Sequence, residues 1–166
     1  MDYGKVINML DAPLYLFDMD GVMAKWEENG DWHDKGFFLS RKREESVIEL
    51  IKTMDAAGEN VSILTAADGS QARIEKLEWL EKAGLSNISV IFVPFMSDKS
   101  EAVADIKGSK KVLIDDFSKN LFDWQKAGHT AVKFRNGING TKGTWKGASI
   151  SNTMAVDEMY NILKSA

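Results

Sequence analysis

The sequence contains no cysteine, which removes disulfides, thiolate nucleophiles and cysteine-bound zinc from consideration together. Histidine is scarce. His33 and His129 are the only two, too few for a histidine-rich metal centre, and neither is assigned a role. No apolar run is long enough to span a bilayer, and Met1 to Asp11 lacks the basic segment and apolar core of a secretion signal. These absences predict a cytoplasmic protein with no membrane partner. An excess of basic charge is also missing. The formal net charge of -4 speaks against a coat for long DNA or RNA, but leaves a single nucleotide open as a ligand. Proline occurs only twice, and there is no low-complexity tract or internal repeat.

What is present is ordinary for a globular chain: 44% hydrophobic and 28% charged residues over 166 positions, enough for one domain with one substantial core. Short apolar runs alternate with segments of helical period. The runs are Leu14 to Phe17, Val61 to Leu64, Ile88 to Val93, Val112 to Ile114 and a weaker one at Thr130 to Phe134. Being short and mostly unalternating, they read as parallel strands covered on both faces. Val47, Leu50, Ile51 and Met54 predict an amphipathic helix ending at Gly58, and Ile74, Leu77 and Leu80 a second ending at Gly84. Asp98 with Glu101 predicts a third helix that carries Val103 and Ile106 inward. Leu121, Phe122 and Trp124 mark a fourth, closed by Gly128, and Val156, Met159, Tyr160 and Leu163 a C-terminal one. Such alternation implies an α/β fold with a doubly wound parallel sheet. Residues 22–43 and 136–151 are the irregular stretches, longer than common connections and therefore candidates for function.

In open α/β sheets the ligand crevice lies beyond the carboxyl ends of the strands. Asp18 directly follows the first apolar run, Thr65 ends the second, Lys99 comes shortly after the third, and Asp115 with Asp116 ends the fourth. Carboxylates, a hydroxyl and an ammonium thus converge on one edge. An all-oxygen set containing Asp18 and Asp115 suits Mg²⁺. That ion and Lys99 would neutralise a phosphate dianion enough for a carboxylate to approach it.

The run Asp18-Met19-Asp20-Gly21-Val22, taken with Thr65, Lys99 and Asp115-Asp116, resembles the haloacid dehalogenase superfamily of phosphohydrolases in order, spacing and strand-end placement. The resemblance covers roughly residues 12 to 135. It implies a magnesium-dependent phosphatase in which Asp18 attacks phosphorus and forms an aspartyl phosphate, while Asp20 acts as general acid and then base. It further implies that Thr65 and the amide of Ala66 bind phosphoryl oxygens, and that Lys99 pairs with Asp18 and the phosphate. Asp18, Asp115 and the backbone carbonyl of Asp20 would hold the metal, with Asp116 a ligand through water or a support. A dehalogenase proper would lack Asp20.

Finer features are similar to the 5'(3')-deoxyribonucleotidases of that superfamily: Ile63 to Ala67, Glu78-Trp79-Leu80, and Leu113 to Asp116 followed by Asn120 and Trp124. The substrate implied is a nucleoside monophosphate. Animal members carry a sizeable helical cap, whereas here residues 1–166 read as a single phosphatase domain with only 22–43 left as a cap insert. That insert offers Trp26, Trp32, Phe37 and Phe38 for stacking on a base and Arg41 or Arg43 for charge near the phosphate. The competing reading of these aromatics is packing against each other and the core. Asp116 has the alternative of capping the following helix. The segment Asn136 to Gly147, with Lys142, Trp145 and Lys146, is a further candidate border of the site. Two other functional readings stand beside the nucleotidase: a phosphatase for sugar phosphates or a polynucleotide 3'-phosphate, and a regulatory module without turnover. Nothing in the sequence sets the oligomeric state.

Overall fold

The computed structural model describes residues 12–106, 110–138 and 143–166; Lys142 and the first eleven residues lie outside them. Among the described residues, six parallel strands form one sheet in the order β3-β2-β1-β4-β5-β6. They are β1 (Leu14–Phe17), β2 (Asn60–Ala66), β3 (Ser89–Val93), β4 (Lys111–Asp115), β5 (Thr130–Arg135) and β6 (Ser149–Ser151). The α-helices of the described residues that connect and cover them are α1 (Glu45–Ala56), α2 (Gly69–Lys82), α3 (Ser118–Lys126) and α4 (Val156–Ser165).

Side chains along a strand alternate between faces, so a strand buried on both sides must be apolar throughout. Tyr15 and Phe17 of β1 join Ile63 and Ile114 in a core beneath α1 and α4. Leu14 and Leu16 point the other way, into a second core with Leu64, Leu113 and the α3 residues Leu121 and Trp124. The runs read from sequence lack alternation for this reason. Trp145 belongs to the second core, its indole 5.4 Å from Phe122, so the late loop does not bring that ring to the site.

Three expectations need correction. The sixth strand was not legible, because Ser149-Ile150-Ser151 has one apolar residue and extends the sheet only beside β5. Asp98 does not open an α-helix. Its Oδ1 accepts from the Ser100 amide and hydroxyl, and only a 3-10 turn at Glu101–Val103 results; Val103 is buried while Ile106 stays at the surface. The third correction concerns α2. Ile74 and Leu77 are exposed, and the buried stripe is Glu75, Lys76, Trp79 and Leu80. Spacing of i, i+4 places Glu75 above Trp79 and Lys76 above Leu80, so one helix face is apolar at its lower end and charged where it meets the site.

Residues 25–43 form turns without a helix or strand, entered and left through an Ala24–Arg43 antiparallel bridge. Val22, Met23 and Ala24, expected to begin the insert, are buried in the first core instead.

Candidate active site

Parallel pairing of β1 with both β2 and β4 sets the ends of these strands side by side. Asp18 leaves β1 with its amide bonded to the Ile114 carbonyl at 2.9 Å. Asp115, the last residue of β4, therefore lies next to it. Lys99 Nζ bridges the two, 2.9 Å from Asp18 Oδ1 and 2.8 Å from Asp115 Oδ2. Asp115 is fully buried and further held by Asn120 Nδ2 at 2.9 Å and by the Phe117 amide at 2.8 Å. Of the expected polar groups, Asp18, Lys99, Asp115 and Asp116 come together as one cluster.

Asp116 reaches the cluster from the turn after β4, and Asn136 Nδ2 donates to its Oδ2 at 3.1 Å and to the Gly21 carbonyl at 2.9 Å. The N-cap position of α3 is Phe117, which makes no side-chain cap bond. Gly21 turns the chain with φ +77°, and a Cβ at that position would lie 2.2 Å from Asp116 Oδ2. Glycine is required there twice over, by the backbone angle and by the carboxylate beside it.

Carboxylate oxygens of Asp18, Asp115 and Asp116 lie within 4.8 Å of one another, and all three residues are buried. Burial pushes the Asp18 carboxyl up to about 7; Lys99 opposes the rise, while Asp115, Asp20 and Asp116 add to it. Lys99 responds in the opposite sense. Burial alone would lower it, but Asp115 and Asp18 outweigh that and raise it above the ordinary lysine value. A buried, crowded set of carboxylates bridged by one ammonium is short of positive charge, and its donors are all hard oxygens. The residues fit a divalent cation of the magnesium type.

Asp20 sits across the mouth of this cluster, and its Oδ2 pairs with the ammonium of Lys76. Lys76 has no solvent exposure and donates also to Thr65 Oγ1 at 3.0 Å and to the Ala66 carbonyl at 2.7 Å. Thr65 is therefore fully buried and engaged from below, while its neighbour Ala66 lines the cavity. Lys76 was missed in the sequence because apolar periodicity assigned the α2 stripe to Ile74 and Leu77. The available signal was the spacing of Glu75 and Lys76 to Trp79 and Leu80.

A cavity of about 710 Å³ opens from Asp18, Asp20, Lys99 and Asp116 toward solvent. Its upper walls are aromatic: Trp26, Trp32 and Phe38 from the insert, Phe95 from the turn after β3, and Phe117 from the turn after β4. Trp32 meets Phe95 at 5.7 Å between ring centres, closing one side. Phe95, Met96 and Phe117 were not anticipated; they are exposed apolar residues directly after strand ends, which is the signal they offered. Met96 holds φ at 63°, in the left-handed region. Phe37 and Arg41, expected beside the substrate, do not line the cavity. The Arg41 guanidinium lies 4.1 Å above the Phe37 ring and binds the carbonyls of Phe37, Glu27 and Asn29, so both residues tie the insert to itself. Arg43 donates to the Lys82 carbonyl and is likewise structural.

No family model matches the sequence, and no curated protein matches it. Solved structures do. The D,D-heptose 1,7-bisphosphate phosphatase of Burkholderia thailandensis superposes with a TM-score of 0.63 at 14% identity, covering 93% of this chain and 99% of that one. The corresponding enzyme of B. bronchiseptica, complexed with magnesium and phosphate, gives 0.65 at 12% over 93% and 99%. The cobalt-bound deoxy-D-mannose-octulosonate 8-phosphate phosphatase of Haemophilus influenzae gives 0.59 at 17% over 95% and 90%. At these identities the likeness is one of architecture: the chain shares the α/β fold of these phosphatases.

Proposed function

We propose that this protein is a phosphomonoester hydrolase working through an aspartyl phosphate on Asp18, with nucleoside monophosphates as its substrates. The observation that carries the first half is the Asp18–Lys99–Asp115 bridge at the floor of an open cavity, with Asp20 facing it. Lys99 orients the Asp18 carboxylate and offsets its repulsion from an incoming phosphate. One Asp18 oxygen bonds to phosphorus as the ester oxygen departs, and that oxygen takes a proton from Asp20. Asp20 then accepts a proton from a water that attacks phosphorus, which frees Asp18 and releases inorganic phosphate. The amide of Ala66 and the hydroxyl of Thr65 are the candidate partners of the phosphoryl oxygens. Asp18, Asp115 and the Asp20 carbonyl, with Asp116 in support, would hold Mg²⁺, which would supply charge neutralisation on the phosphate when bound.

The aromatic walls support a flat, apolar leaving group. Trp32 and Phe95 line the cavity and are 41% and 59% exposed, although the His33 ring already lies 3.7 Å from Trp32 between centres. Stacking contributes about 1–3 kcal/mol per base, and replacing Trp32 or Phe95 by alanine should lower kcat/KM for nucleoside monophosphates about five- to 150-fold. A small ester without a base should be hydrolysed almost as before. Equal losses on both substrates would assign these rings to packing. The fold neighbours act on sugar phosphates by name, which favours a sugar phosphate as the second reading. Phosphate release across a panel of nucleotides and sugar phosphates separates the two.

A further inference from the structure

We infer that Lys76 is a positioning residue that directs the protons of two groups in the site, Asp20 and Thr65. The inference rests on the phosphatase reading above and extends it to a side chain outside the reacting centre. A lysine ammonium carries three N–H donors and no acceptor. Lys76 has three acceptors within reach: Asp20 Oδ2, Thr65 Oγ1 and the Ala66 carbonyl. Its donors are thus fully used, in a position without solvent exposure, and the Phe38 ring closes over it at 4.7 Å.

Saturation has a directional consequence. An oxygen that faces an N–H must accept, because two donors cannot point at each other. When Asp20 carries its proton, its carbonyl oxygen is a stronger acceptor than its hydroxyl oxygen, so the oxygen that faces the ammonium, Oδ2, is the carbonyl one and the proton sits on Oδ1. A neutral carboxyl group otherwise has two equivalent places for its proton and can turn either one away from the substrate. Pinning Oδ2 removes that freedom and holds the acidic O–H in one direction. The same rule applies at Thr65: its oxygen accepts from Lys76, so its hydroxyl hydrogen is directed elsewhere. The helix that performs this is anchored one residue earlier. Glu75 takes the Gly36 amide at 2.6 Å and the Phe38 amide at 3.2 Å, which fixes α2 and the insert around the Lys76 ammonium.

The test is the dependence on leaving group. An aryl phosphate such as 4-nitrophenyl phosphate departs as a stabilised anion and needs little protonation, whereas an alkyl phosphate needs the Asp20 proton. Correct general acid placement is worth about 10²–10⁴-fold. Lys76→Met, which keeps the unbranched side chain out to the ε position and removes the donors, should lower the ratio of alkyl to aryl kcat/KM by about tenfold or more. Because both substrates are read on one preparation, the ratio does not depend on the fraction that is folded. In an Asp20→Asn background the same substitution should leave the ratio unchanged, since the group it orients is gone. Equal loss on both esters, or a further fall of the ratio when Lys76→Met is added to Asp20→Asn, would make Lys76 a structural lysine. If wild-type protein hydrolyses neither ester, the phosphatase reading falls and this role with it. If wild-type protein hydrolyses both and Asp20→Asn alone leaves their ratio unchanged, Asp20 is not the general acid and the Lys76 role falls with it, while phosphate release itself stands. Should Lys76→Met not fold, the ammonium is read in wild-type protein by ¹⁵N NMR. Slow exchange that becomes fast in Asp20→Asn supports the assignment, and exchange as fast as a surface lysine overturns it.

Discussion

Replacing Glu75 by alanine isolates how the insert is held. Glu75 is almost wholly buried, and its carboxylate accepts from the Gly36 and Phe38 amides and from Gln71 Nε2. Burial alone would raise its pKa, but the bonds from Gly36, Gln71, Phe38 and Leu39 outweigh that and hold it below the usual 4.5. A hydrogen bond to an ionised acceptor contributes about 1.5–3 kcal/mol, so the two amide bonds from the insert together hold it by about 3 kcal/mol at the lower end. Gln71 can turn to water and adds little. A loss of about 3 kcal/mol corresponds to roughly a hundredfold rise in local opening at about 1.4 kcal/mol per tenfold. Hydrogen exchange at the amides of residues 36 and 38 should accelerate by that factor in Glu75→Ala, while amides of β1 and β4 change far less. The sign of the shift sets the pH dependence. A depressed folded pKa means that the contribution is present above about 4.5 and is lost as pH falls through the folded value. Wild-type protein should therefore release the insert in mild acid, and Glu75→Gln should flatten that response. Unchanged exchange at residues 36 and 38, accompanied by a general loss of stability, would refute the reasoning and make Glu75 an ordinary core contact.

Other expectations concern the reacting centre. Asp18→Asn keeps the size of the side chain but removes the anion, so phosphate release should fall to background while circular dichroism is unchanged; near wild-type turnover would end the covalent mechanism. Asp20→Asn should slow hydrolysis of alkyl esters by about 10²–10⁴-fold and spare magnesium affinity, measured calorimetrically, because its proposed ligand is a backbone carbonyl. With Asp18 raised to about 7 in the metal-free protein, the folded state holds a proton that the unfolded state has lost between about 4 and 7, so this group's contribution to stability declines as pH rises through that window. Magnesium must displace the proton, and its affinity should climb by about tenfold per pH unit up to about 7 and then level. Affinity that stays flat from pH 5 to 8, or full activity after exhaustive chelation, would count against the site.

The clustered polar groups were legible because parallel strands place residues distant in sequence at one edge, and each strand announces its end. Asp18, Lys99 and Asp115 could be found by inspecting the first polar residues beyond each apolar run. Lys76 and Glu75 escape that inspection and show only in their spacing to Trp79 and Leu80, since hydrophobic periodicity weighs burial by apolarity and these two are buried as charges with partners. Ile74 and Leu77 drew the stripe toward the surface for the same reason. The insert was harder still. Its aromatics looked alike in sequence, yet Arg41 settles on Phe37 whereas Trp32 leans on Phe95, and that division depends on contacts between separate loops. Ser149–Ser151 joins the sheet through backbone pairing with β5, which a single isoleucine between serines does not signal.

The bridge between Ala24 and Arg43 has a consequence for engineering. The Lys25 amide donates to the Lys42 carbonyl at 2.8 Å, and the Glu44 amide donates to the Met23 carbonyl at 2.8 Å, so the two stems of the insert are joined before either reaches the cavity. A loop whose ends are already clasped can be exchanged as a cassette. Doubling its length adds only about 0.6 kcal/mol of closure entropy. Longer segments grafted between Lys25 and Lys42 that keep Gly36, Phe38 and Arg41, the partners of Glu75 and Trp79, could therefore be screened for new leaving-group preference while β1, and Asp18 at its end, keep their place in the sheet.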